Sequence, residues 1–230
     1  MEDRVKALQK SAEDFRYLLD RGYPRRLSLE LVGNRYQLTS DERHLLHRGI
    51  FPTRDSTSRR RKIVSAKEVR NQNLAIDGYN VLITIEAGLT GRPLILGDDG
   101  FVRDISGVSG RFKKTGTTEK ALQLIFDRLG WIKPRDTLFL FDAPISRSGA
   151  LALEVRNGLK EKGLQGDAMA VNVPEKILIG FRGMIASSDT AIIEQSQKVF
   201  DLAGDILRRE NLLKALIRLR RKGGHLARKG

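Results

Sequence analysis

Three aspartates close three apolar runs in this chain: "NLAID" ends in Asp77, "TLFLFD" in Asp142 and "GMIASSD" in Asp189. Each run has the length and residue types of a buried strand, and each acid is followed by residues able to open a helix. In an open parallel sheet the loops beyond the carboxyl ends of several strands converge, and sites form there. Carboxylates brought together in this way repel one another unless they share a cation or one of them takes a proton. Oxygen-only ligands suit hard divalent ions such as Mg²⁺ or Mn²⁺. The chain has no cysteine, and His44, His47 and His225 lie outside the strand-and-helix region, which argues against zinc. Each acid alone is also explained as a helix N-cap, a role that needs no ligand. Three at equivalent strand ends favour a shared cation.

The elements that would position these acids follow from periodicity. From residue 70 onward strands and helices alternate: strand 74–77, helix 80–88, a hairpin over 93–105 around "GDDG", helix 117–129 and strand 137–141. Helix 148–162, strands 168–173 and 183–187, and helix 190–208 continue the series. Such alternation predicts an α/β fold with a mostly parallel sheet covered by helices on both faces, over residues 70–208. Asp98 and Asp99 are explained as the tip of the hairpin. Residues 1–52 predict a small all-α domain of three short helices, with Thr39 or Ser40 capping the third. That arrangement suits a helix-turn-helix or a plain bundle. Residues 53–69, with Pro52 just before them and "RRRK" within them, read as a basic linker, and residues 209–230 as a basic C-terminal helix and tail.

Charge is segregated. The chain's net +14 divides into about +7 over residues 1–70, about −1 over 71–207 and about +8 over 208–230. A near-neutral core between two basic ends suggests a polyanionic partner, with Arg59, Arg60, Arg61 and Lys62 lying along a phosphate backbone. No apolar run approaches the roughly 20 residues that span a bilayer, and the N-terminus lacks the apolar segment of a secretory signal. A cytoplasmic protein without membrane contact is the expectation.

"IDGYNVL", "FLFDAPISRSG" and "IASSDTAII" resemble the three acidic motifs of PIN-like nucleases, nearest the NYN branch, across roughly residues 70–205. Together with the helical front, "RNQNLAIDGYNVLITIEAGLTGRP" resembles a largely archaeal two-part family with a helical N-terminal and a PIN-like C-terminal domain. The resemblance implies a Mg²⁺- or Mn²⁺-dependent endoribonuclease acting in RNA processing or decay. It places the metal on Asp77, Asp142 and Asp189, with Asn80 and Ser188 as donors that fix the carboxylates. It adds a fourth acid, for which Glu119 is the first choice and Asp104 and Glu86 are rivals. Paired ions in such sites sit about 4 Å apart, lowering the pKa of bound water and shielding the phosphodiester. Substrate would be held by Arg111, Lys113 and Lys114 of "GRFKKTG", and by Arg147 at a helix start that favours phosphate. The alternative is a catalytically silent RNA- or DNA-binding protein that keeps the fold. A small-molecule phosphatase is disfavoured because Tyr79 stands where its second aspartate would be. RNA is the favoured partner, and nothing in the sequence fixes an oligomeric state.

Overall fold

The computed structural model describes residues 2–105 and 112–219, so Arg111 and the tail from residue 220 fall outside the described residues. Its centre is a four-stranded parallel sheet in the order β5-β4-β1-β6, made of β1 (Asn73–Asp77), β4 (Asp136–Asp142), β5 (Gly166–Val171) and β6 (Met184–Ala186). Alternate side chains along each strand feed opposite faces. Leu74, Ile76, Phe139 and Phe141 pack into the larger core, against α6 (Gly78–Leu89), α7 (Gly116–Ile132), α8 (Ser148–Glu161) and α11 (Leu202–Arg209). Ala75, Leu140 and Ile185 face the other way, onto Leu178 of α9 (Pro174–Gly180) and Ile192 of α10 (Thr190–Gln195). The protein is thus α/β, with a parallel sheet covered on both faces.

A second sheet is mixed, in the order β3-β2-β7. The expected hairpin is present as β2 (Leu94–Leu96) paired antiparallel with β3 (Val102–Asp104), while β7 (Leu216–Ile217) runs parallel to β2. The basic helix expected after residue 208 is therefore not what the described residues form. α11 ends at Arg209, and Leu212, Leu213 and Leu216 settle onto Ala87, Leu94, Val102 and Leu207. The helix expected over 190–208 is broken in two. Between α10 and α11, Val199 bridges in parallel to both Ile185 and Ile63, and Asp201 caps α11 by accepting from Gly204 N. The extended residues that carry the Val199 bridges interrupt the helix, and Asp201 starts a new one.

The N-terminal part holds α1 (Glu2–Asp20), α2 (Arg25–Arg35) and α3 (Ser40–Gly49), packed through Phe15, Leu19, Val32, Leu46 and Ile50. Thr39 is the cap of α3, in a reciprocal box with Glu42. The stretch read as a linker is ordered as α4 (Thr53–Arg60) and α5 (Ala66–Val69). Its charges are engaged by the protein itself. Arg59 is buried and ion-paired with Asp99 at 3.4 Å and with Glu194. Lys62 donates to the carbonyls of Ile193 (2.8 Å) and Glu194, and Arg60 to that of Asp98 (2.7 Å). Arg61 alone of the four forms no such bond among the described residues, and it is exposed.

The "GDDG" turn is far more than a hairpin tip. Asp98 takes a forked pair of hydrogen bonds from Arg16 of α1 at 2.7 and 2.9 Å. Asp99, fully buried, takes another from Arg103 at 2.7 Å on each oxygen. Burial alone would raise the Asp99 pKa, but Arg103 and Arg59 outweigh it and hold the carboxyl below its usual range. This ionic hub joins the helical front to the sheet. Arg16 also donates to the carbonyl of Leu219, so the first helix is tied to the chain's far end.

Candidate functional site

The strand exits meet as the parallel topology requires. β4, β1 and β6 are neighbours, so Asp77 and Asp142, their last residues, and Asp189, just beyond β6, leave the same edge of one sheet. All three line a cleft of about 380 Å³, whose walls include Tyr79, Ile83, Pro144, Ile145 and Ile192. Asp104 from the end of β3, Glu175 from the start of α9 and Arg48 from the last turn of α3 complete it.

The "DG" of the first motif has a local reason. Asp77 caps α6, and a Cβ on Gly78 would lie 2.3 Å from Cε1 of Phe141, so only glycine lets the helix start this close to β4. Asp77 Oδ2 accepts from Ser187 Oγ at 2.8 Å, and the same Ser187 Oγ accepts from Asp189 N at 3.0 Å. Asn80 Oδ1 accepts twice from Ser188, from N at 2.9 Å and Oγ at 3.0 Å. The β1 and β6 exits are thereby stitched together. Arg103 adds a third tie, its Nε donating to the carbonyl of Ser188 at 2.7 Å, which connects the ionic hub to the site loop.

Asp189 caps α10 through Ala191 N (2.8 Å) and Ile192 N (3.2 Å) while also lining the cleft. Cap and cleft wall are therefore one role for Asp77 and Asp189, since a cap oxygen leaves the second oxygen for other contacts. Burial raises Asp77 to a pKa of about 7, a shift opposed by the Ser187 hydrogen bond and strengthened by the charges of Asp189 and Asp142. Asp142 is also raised, first by burial and then by the charge of Glu175. Burial with Asp142 nearby pushes the Tyr79 phenol to about 12, and its hydroxyl has no hydrogen-bond partner among the described residues.

Glu119 is a correction. It sits exposed in the first turn of α7, beside Lys114 at 3.3 Å, away from the cleft in a groove between α7 and α8. A helix-start acid satisfies the helix dipole at the surface as well as in a site. Of its rivals, Asp104 lines the cleft, whereas Glu86 accepts from Thr118 Oγ1 at 2.5 Å and burial raises its pKa. Lys114 is held by Glu154 at 2.8 Å, and Lys113 and Arg147 are exposed outside the cleft lining. Ser187, Glu175 and Arg48 were not foreseen. Applying the strand-end rule to β5 would have found Glu175, four residues beyond Val171. Arg48 carries no such signal, because it arrives from a helix far away in the chain.

A divalent ion suits the donor set. Among the described residues five carboxylates line the cleft with one arginine, and Asp77 is driven toward protonation first by burial and then by the charges of Asp189 and Asp142, which a bound cation would offset. Among the described residues no three acid or histidine side chains are gathered into a ready-made cage. The carboxylates share a cleft rather than a finished coordination shell.

The sheet region, residues 66–205, matches the model of a domain of unknown function, DUF5616. The chain belongs to that family. Residues 7–62 match a second model, that of a protein of unknown function, DUF434, which covers the helical front. The DUF5616 chain is 31% identical over 203 residues to the uncharacterized protein MJ0935 of Methanocaldococcus jannaschii, spanning 87% of this chain and 97% of that one. No solved structure matches. Among the described residues, no helix is long and apolar enough to cross a membrane.

Proposed function

We propose that this DUF5616 protein is a cytoplasmic, metal-dependent nuclease of the PIN-like kind, with RNA as the favoured substrate. The observation that carries the reading is the convergence of Asp77, Asp142 and Asp189 on one cleft at the carboxyl edge of a parallel sheet. Asp77, Asp142 and Asp189 would hold Mg²⁺ or Mn²⁺, with Asp104 replacing Glu119 as the fourth acid. Bound there, the ion would shield the phosphodiester charge and lower the pKa of water.

The chain's own groups have definite tasks. Ser187 holds Oδ2 of Asp77 while Asn80 N donates weakly to Oδ1, so the carboxylate is fixed at the cleft wall by two bonds. The two hydrogen bonds from Ser188 to Asn80 Oδ1 hold the two strand exits in register. Ile83, Pro144, Ile145 and Ile192 give the cleft apolar walls, which lower the local dielectric and strengthen each charge inside it. Asp77 must lose its proton to act as an anionic ligand, so metal binding should strengthen as pH rises through about 7.

Incubation with single- and double-stranded RNA and DNA, in Mn²⁺, Mg²⁺ or EDTA, tests this directly. Mn²⁺-dependent cleavage abolished by Asp77→Asn supports the reading. Binding of RNA without cleavage in any metal would favour the silent nucleic-acid-binding alternative.

A further inference from the structure

Arg48 is a cation in an acidic cleft whose charge is largely uncommitted. Its Nε donates to the backbone carbonyl of Asp104 at 3.1 Å, and no other hydrogen bond or carboxylate ion pair engages it among the described residues. Burial and the nearby Arg103 lower the Arg48 pKa, the charges of Asp104 and Asp189 oppose that shift, and Arg48 forms an ion pair with neither acid. A cation placed only to neutralise these acids would bond to them, as Arg103 does to Asp99. Arg48 is instead anchored by its inner nitrogen to a neutral acceptor, which leaves its two terminal nitrogens for the cleft it lines. A planar fork of this kind matches phosphate oxygens bidentately, and an anchored stem loses less freedom when it binds.

We propose that Arg48 is a substrate-binding residue that grips a phosphate group of the nucleic acid. This rests on the nuclease reading of the same cleft. The site is then composite: the acids come from the region matched by one family model, the arginine from the region matched by the other. Cation and acids have separate clients, metal for the carboxylates and substrate phosphate for the guanidinium. That division explains why opposite charges share a cleft without pairing.

The test is equilibrium binding of a fluorescent single-stranded oligoribonucleotide, with a 5′-hydroxyl or a 5′-phosphate, to the full chain in EDTA and in Mn²⁺. Arg48→Met should raise Kd about 10–100-fold, the worth of a charged hydrogen-bonded contact. The slope of log Kd against log salt should fall by about 0.7. Arg48→Lys should recover part of the affinity, because it keeps charge but not the fork. Loss on both oligonucleotides assigns Arg48 to an internal phosphodiester, and loss only on the 5′-phosphorylated one assigns it to a terminal phosphate. An unchanged Kd for both in both buffers overturns the proposal. If Arg48→Met does not fold, Arg48→Gln, which keeps a donor for the Asp104 carbonyl, carries the same expectation. Arg48-dependent binding without cleavage by the wild type sinks the nuclease reading alone; cleavage with Arg48-independent binding sinks the phosphate grip alone.

Discussion

Asp77 shows how one carboxylate serves two purposes. Its cap bond to Asn80 N is long, at 3.5 Å, while its bond from Ser187 is short, so its hold on the helix is the weaker commitment. Asn caps as well as Asp, so Asp77→Asn should fold normally and lack the Mn²⁺-induced rise in melting temperature expected of the wild type. The pH dependence has a definite sign. A folded-state pKa near 7, above the unfolded value, stabilises the protein at low pH and loses that contribution as pH rises from about 4 through 7. Asp77→Asn should therefore gain stability relative to wild type at pH 8 and show less gain at pH 5, in paired melts without metal. Ser187→Ala removes the bond that opposes the shift, so Asp77 should titrate higher and the onset of Mn²⁺ stabilisation should move to higher pH. Glu119→Ala should leave metal stabilisation and any cleavage unchanged. The three acids were legible because strand ends are legible. Ser187 was not distinguishable from Ser188, since which of two adjacent hydroxyls turns toward Asp77 depends on the loop beyond β6.

Among the elements, the α/β alternation was readable because buried strands and amphipathic helices differ in period. The segment 53–69 was not, because its basic residues resemble a solvated linker until their partners are known. Those partners, Asp99 and Glu194, lie 40 and 135 positions away. The same distance hid the meaning of "GDDG". Asp99 and Arg103 are 0% and 1% exposed, and removing one member of a buried pair leaves a stranded charge costing about 3–5 kcal/mol. At about 2–4 °C per kcal/mol for a chain of this size, Asp99→Ala should lower the melting temperature by roughly 6–20 °C. Because Arg103 also holds the Ser188 carbonyl, the same change should weaken Mn²⁺ stabilisation, a second effect that a cavity elsewhere in the core would not produce.

For the molecule as a whole, the +14 charge overstates what is free to meet a polyanion. Arg16, Arg59, Arg103 and Arg128 are buried among their own acids. Arg61→Ala should reduce the salt slope of RNA binding by about 0.7–0.9 without changing the melting temperature, if that exposed residue meets phosphate. Arg59→Met should instead lower the melting temperature, which thermal melts of the two variants will separate. The tie from Arg16 to Leu219 has a further meaning for the order of synthesis. A ribosome makes residue 16 long before residue 219, so the first helix waits for its last partner through nearly the whole of translation. Val199 completes the bridge at Ile63 almost as late. Such contacts between distant positions form slowly, and nascent chains halted before residue 199 should keep their N-terminal helices open to protease until the C-terminal segment emerges to close over them.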